Sequence, residues 1–118
     1  MKETVNPFEY LRGPGVADSD VIRENIDTIT VYDDRKEIVK ILVADAGNNR
    51  IAVGYNIYFL NGRHADKLPT LEAGVFVSKN NAILFFLGYI KKYASMFSNN
   101  VIFEVNRLIG EYSQSKLF

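Results

Sequence analysis

The chain has 118 residues, 14 basic and 14 acidic side chains, and 47% hydrophobic residues. That length fits about one domain, and the apolar fraction argues against global disorder. Cysteine is absent, which excludes disulfides, thiolate metal sites and a cysteine nucleophile and leans toward a reducing compartment.

Residues 1–17 read as an irregular N-terminal arm, punctuated by Asn6-Pro7 and Gly13-Pro14-Gly15. Phe8, Tyr10 and Leu11 are placed to pin that arm to the body. Residues 18–118 read as a single α+β domain. Asp18 or Ser19 caps a short predicted helix over Val21, Ile22 and Ile26. Thr28 to Tyr32 is rich in β-formers and ends at Asp33-Asp34.

Residues 34–45 carry two conflicting signals. Asp34 followed by Glu37 fits a helix capping box, and Gly47 fits a helix stop. Against this, Ile38, Val39, Ile41 and Val43 are β-branched and crowd a helix. The balance tips slightly to a strand over Glu37 to Ala44, with Ala46-Gly47-Asn48-Asn49 as a hairpin loop.

Ile51 to Leu60 alternates cleanly: Ile51, Val53, Tyr55, Ile57 and Phe59 on one face, Ala52, Gly54, Asn56 and Tyr58 on the other. Gly54 inside this strand suggests a bulge or a close backbone approach. Asn61-Gly62 starts a turn. Arg63 to Thr70 reads as a polar loop and Leu71 to Val77 as the next strand.

Ser78 caps a helix running to about Phe97 that is apolar on nearly every side. Ala82 to Ile90 carries no charge. Such a helix needs cover on two sides, from a sheet and from a second helix or a second subunit. Ser98-Asn99-Asn100 is a break and a cap. A last helix spans Val101 to about Tyr112, with Val101, Val105, Leu108 and Tyr112 on one stripe and Ile102 and Ile109 beside it. The predicted architecture is α+β: an antiparallel sheet of about four strands packed on an apolar helix, with a second C-terminal helix. Ile83, Phe86, Leu87 and Ile90 should pack on the face of Ile51, Val53, Ile57 and Phe59.

The N-terminus has no long apolar run, so no signal peptide is expected, and no apolar run reaches the roughly 18–20 residues of a membrane span. A soluble cytoplasmic protein follows as the expectation. Charge is uneven: residues 1–34 sum to −5 (three basic, eight acidic) and residues 35–118 to +5 (eleven basic, six acidic). An acidic arm on a basic body is one reading, and a plainly solvated surface is the simpler one.

No catalytic motif is found. His64, the single histidine, has Asp66 and Arg63 beside it but no nucleophile at motif spacing, so an exposed loop histidine is the simpler reading. Asp18, Asp20 and Glu24 lack the calcium-loop pattern, so no metal site is assigned. Arg12-Gly13-Pro14-Gly15 lacks the ending of a phosphate loop, and no cofactor is assigned. Asp33-Asp34 fits turn chemistry.

Two binding classes remain. A helix apolar on two faces, together with Leu117-Phe118, favours self-association as a homodimer, with Phe85, Tyr89, Tyr93 and Phe97 as the candidate interface. The alternative is single-stranded nucleic acid on the open sheet face, through Lys40, Arg50, Asn56, Tyr58, Arg63 and Lys67. The strand-strand-strand-strand-helix order resembles that of small single-strand-binding domains of the transcription-cofactor type, an analogy of element order and not of sequence. A pI of about 6.6 and scattered cations weigh against it, since nucleic-acid domains often lie above about 9. A non-enzymatic interaction module is therefore the expected function.

Overall fold

A computed structural model describes residues 22–71 and 76–114. The arm anchors Phe8, Tyr10 and Leu11, the glycine run 13–15, the candidate cap at Asp18 or Ser19 and the terminal Leu117-Phe118 lie outside the described residues. Four strands, β1 (Asp27–Asp33), β2 (Ile38–Gly47), β3 (Arg50–Tyr58) and β4 (His64–Thr70), form one antiparallel meander in the order β1-β2-β3-β4. Helix α1 (Lys79–Lys92), a 3₁₀ turn (Ala94–Met96) and helix α2 (Asn99–Gln114) follow. The fold is α+β, with the second helix at the C-terminal end, as the sequence predicts.

The ambiguous segment is strand. Its capping-box residues act, but on a hairpin. Asp34 Oδ1 accepts the backbone N–H groups of Lys36 (2.7 Å) and Glu37 (2.9 Å), and the Asp34 N–H donates to the Glu37 carbonyl (3.0 Å). The same local chemistry that starts a helix here closes the β1–β2 connection. The β-branched residues then decide the outcome: Val39, Ile41 and Val43 are fully buried against β3. The β2–β3 turn places Asn48 and Asn49 at φ 56° and 61°. Positive φ at both central residues matches the twist of an antiparallel hairpin, and asparagine tolerates it better than most residues.

Two expectations need correction. The segment Arg63 to Thr70 is mostly strand β4, whereas Leu71 to Val77 is not a strand in its described part. Phe76 makes a single bridge to Ile51, whose N–H donates to the Phe76 carbonyl at 2.8 Å. The reason is that β4 is an edge of the sheet among the described residues: His64 and Asp66 are exposed, and Pro69 sits where the register with β3 shifts. Polar residues, proline and bulges are normal in an edge strand and look like a loop in sequence. The second correction concerns the described part of the short helix expected over Val21, Ile22 and Ile26, of which Val21 lies outside the described residues. Ile22 and Ile26 are not helical, Asn25 has φ 56°, and the Ile22 N–H donates to the Pro69 carbonyl at 2.8 Å.

Gly54 faces the β4 irregularity. A Cβ there would lie 2.3 Å from the Lys67 carbonyl oxygen and 2.7 Å from Leu68 and Pro69 backbone atoms. The close approach expected of this glycine is therefore the contact that lets β4 bulge while remaining paired.

Both helices cover the same sheet face. Ile83, Phe86, Leu87 and Ile90 are buried, as are Ile51, Val53, Ile57 and Phe59. Phe86 stacks on Tyr55 with ring centroids 5.2 Å apart. Helix α1 touches β2 and β3, and α2 touches β1 and α1. Val101, Val105 and Leu108 bury the expected stripe of α2. The first helix ends before Phe97. Its C-cap, Tyr93, shares its N–H between the Tyr89 and Ile90 carbonyls, and the 3₁₀ turn then delivers Phe97 onto Phe59, centroids 5.4 Å apart.

Candidate functional site

Because both helices pack on one side, the other side of the sheet has no helical layer among the described residues. The pairing registers set out what it carries. One row across the strands is Thr30, Lys40, Asn56 and Asp66, and the next is Asp33, Ile38, Tyr58 and His64. Neighbours in a row are about 5 Å apart across the strands, near enough for side-chain contact.

The end of this face near the β3–β4 turn is the most organised part. Tyr58 and His64 are directly paired, and their rings stack with centroids 3.9 Å apart at 9°. His64 Nε2 lies 2.7 Å from Asn56 Oδ1; facing an amide oxygen, that nitrogen donates. Tyr58 is 42% exposed, and His64 is exposed as well. The turn is fixed by Gly62 at φ 89°, by a Gly62 N–H bond to the Phe59 carbonyl (2.9 Å), and by Asn61 Oδ1 accepting the Arg63 N–H (2.9 Å). The stack thus rests on a tight hairpin, not on a free loop.

Of the residues proposed for nucleic acid, the fold brings Lys40, Asn56 and Tyr58 together on this face, with Arg63 in the adjoining turn. Arg50 lies at the other end of β3, where its guanidinium donates to the Gly47 (3.2 Å) and Ala46 (3.3 Å) carbonyls. Lys67 pairs with Tyr55, so it belongs to the helix side of the sheet. Lys40 Nζ stands 3.9 Å from Asp33 Oδ2, and Asp66 shares its row. The face is therefore close to charge-balanced. His64, read in sequence as a loop residue, joins the constellation. The available signal was symmetry: Tyr58 and His64 are equally spaced about Asn61, as a hairpin turn there requires.

The candidate interface residues divide differently. Phe97 is 8% exposed and belongs to the core. Phe85 is 37% exposed, and Tyr89 and Tyr93 are half-buried. Phe76, Phe85, Tyr89 and Tyr93 form a chain of rings with successive centroids 5.0, 6.3 and 5.0 Å apart. Val77 lies beside this chain in sequence, 74% exposed, and Lys92 Nζ sits 5.5 Å from the Tyr93 ring centroid. Burial, then the neighbouring Tyr93, holds the Tyr89 phenol above its ordinary range.

A third cluster joins the β1–β2 hairpin to the start of α2. Glu37 is 1% exposed. Its carboxylate accepts the Ser98 N–H (3.0 Å) and the Ser98 hydroxyl (2.5 Å), and Ser98 Oγ in turn accepts the Val101 N–H (3.3 Å). The buried negative charge sits at the positive end of α2. Next to it the Tyr32 hydroxyl donates to Asp34 Oδ2 at 2.9 Å. That bond, followed by burial, raises the Tyr32 pKa. The N–H of Lys36, then the Tyr32 hydroxyl and the N–H of Glu37, hold the Asp34 carboxyl below its usual range. No sequence signal links Glu37 to Ser98, which lie 61 positions apart.

Among the described residues no three His, Asp or Glu side chains group as metal ligands, and no helix is long and apolar enough to cross a membrane. Comparison of the chain with family profiles, with curated proteins and with solved structures finds no match.

Proposed function

We propose that this chain is a small, non-enzymatic interaction module of the cytoplasm that associates with a second copy of itself as a homodimer. The observation that carries this reading is the chain of rings that runs along α1 from Phe76 before it to Tyr93 at its C-cap. Phe85 and Val77 are exposed next to half-buried Phe76, Tyr89 and Tyr93. Aromatic residues grouped at a surface with a lysine at the margin are typical of an interface centre and its polar rim. Covering them against an identical patch removes apolar area from water at about 25 cal/mol per Å². A two-fold arrangement lets one patch serve both partners. Light scattering after size exclusion tests the reading. The dimer mass is expected for the wild type, and Phe85→Glu should shift it to the monomer without loss of fold. A wild-type monomer at high concentration would refute it.

A second reading is favoured by a separate observation, the Tyr58–His64 stack beside Lys40. An exposed aromatic surface on a sheet suits single-stranded nucleic acid. Anisotropy titration of a labelled oligonucleotide at low salt, with wild type and a Lys40→Ala/Tyr58→Ala variant, tests this. Equal binding by both proteins would remove this face from consideration.

A further inference from the structure

We infer that residues 22–26 form a strap across the sheet face opposite the helices, and that this strap is a latch. It reserves the apolar half of that face for the chain itself and opens when the Ile22–Pro69 hydrogen bond is lost. Neither the dimer nor the nucleic-acid reading is needed for it. Ala44 and Ala52 pair across β2 and β3 and are 1% and 0% exposed, yet neither belongs to the hydrophobic core under the helices. Alternation explains this: Val43 and Val53 face the helices, so the next residues face away. Gly54, also buried on that side, lies under the Lys67–Pro69 backbone of β4. Two methyl groups on a bare sheet would stay accessible to water, so Ala44 and Ala52 need a further cover.

The segment before β1 supplies it. The Ile22 N–H donates to the Pro69 carbonyl of β4 at 2.8 Å, and Asp27 already opens β1 at the opposite edge. In a flat sheet those edges are three strand spacings apart, about 14 Å, and the steps from Ile22 to Asp27 reach at most about 17 Å. The β4 bulge folds over Gly54 and comes near β2, which narrows the gap. Asn25, turning at φ 56°, takes up the slack. A path round the β2–β3 turn is too long, because that hairpin projects from Val43 to Gly47, about 13 Å. A path over the other face is closed by α1 and the core, where Val43 and Val53 are 0% and 1% exposed. The segment therefore crosses Ala44 and Ala52. Its burial agrees: Ile22 and Ile26 are half-buried without joining the helix-side core, Arg23, Glu24 and Asn25 between them are exposed, and Pro69 is buried. The strap lies outside any strand, and Pro69, lacking an N–H, cannot return a second backbone bond. Losing the one bond frees the strap at β4, and the opening stays local.

The chain has no cysteine, so one introduced thiol reports one position. Ala52→Cys probes the face under the strap, with Ala44→Cys taking its place if Ala52→Cys loses the native circular dichroism. Asp66→Cys, exposed on the same face, is the open control. Val53→Cys, under α1, is the closed control. Each thiol is labelled with a small maleimide, in the full chain and with Ile22→Pro, which removes the N–H given to Pro69. Ile22→Ala/Ile26→Ala, which keeps that N–H but removes the apolar cover, is the second strap variant. Ala52→Cys should label on the order of tenfold or more slowly than Asp66→Cys, since a shielded thiol reacts only in the open fraction. Ile22→Pro should speed it by about 2- to 12-fold, the effect of one backbone hydrogen bond on a local opening. Ile22→Ala/Ile26→Ala should speed it as well, and Val53→Cys should stay protected throughout. Equal labelling of Ala52→Cys and Asp66→Cys would show that nothing covers this face. Slow labelling that neither strap variant changes would give the cover to another segment. Acceleration of Val53→Cys in parallel would make the opening global. Each of these three results overturns the latch.

Discussion

Removing the Glu37 carboxylate should loosen α2 from the sheet. The residue is 1% exposed and accepts two hydrogen bonds, at 3.0 and 2.5 Å, from the N–H and hydroxyl of Ser98. Hydrogen bonds to a charged group contribute about 1.5–3 kcal/mol each, and a negative charge at a partly buried helix N-terminus adds up to about 2 kcal/mol. Against these stands the cost of keeping a carboxylate out of water, several kcal/mol per buried ion. No salt bridge reduces that cost among the described residues, so the Ser98 donors and the α2 N-terminus have to offset it. In Glu37→Ala the charge penalty disappears, but the two Ser98 donors lose their acceptor, at about 1–3 kcal/mol each. A net loss of about 2–4 kcal/mol is expected for Glu37→Ala. Glu37→Gln keeps the shape and one acceptor oxygen, and should lose about half as much. Urea unfolding at neutral pH measures both. A cycle with Ser98→Ala should give a coupling of about 1–2 kcal/mol, in the range for residues in one network. A Glu37→Ala protein as stable as wild type, or additivity within about 0.3 kcal/mol, would refute the account.

Phe86→Ala removes a fully buried ring stacked on Tyr55 and should cost about 3–5 kcal/mol, read from the urea midpoint; a change under about 1 kcal/mol would place α1 differently. Gly54→Ala forces a Cβ to within 2.3 Å of the Lys67 carbonyl, so β4 must separate from β3, and hydrogen exchange at the β4 amides should accelerate while β1–β2 amides stay protected. Asp34→Asn tests pH dependence. The Asp34 pKa is lowered in the folded protein, so its contribution is present above the unfolded pKa of about 3.9 and is lost as pH falls through the lower folded value. The wild-type advantage over Asp34→Asn should therefore be constant near neutrality and shrink below about pH 4, whereas an advantage that grew on acidification would reverse the assignment.

Local pattern by itself determined much of this protein. The alternation from Ile51 to Phe59 marks a strand and its buried face, because a pleated chain sends successive side chains to opposite sides. The caps at Ser78 and Ser98 mark both helix starts, because only a few side chains can satisfy free N–H groups there. The stripe Val101, Val105, Leu108 identifies the buried side of α2. The tertiary structure decided what local pattern leaves balanced. Asp34 and Glu37 offer the same hydrogen bonds to a helix cap or a hairpin, and only the burial of Val39, Ile41 and Val43 against β3 selects the strand. Strand β4 carries polar residues and a proline because its position at the edge permits them, and edge position is a property of the sheet. The same holds for the two constellations of greatest interest. Tyr58 and His64 meet only once β4 pairs with β3. Glu37 meets Ser98 only once α2 returns to the β1–β2 hairpin, after a separation of 61 positions across which no local pattern carries information.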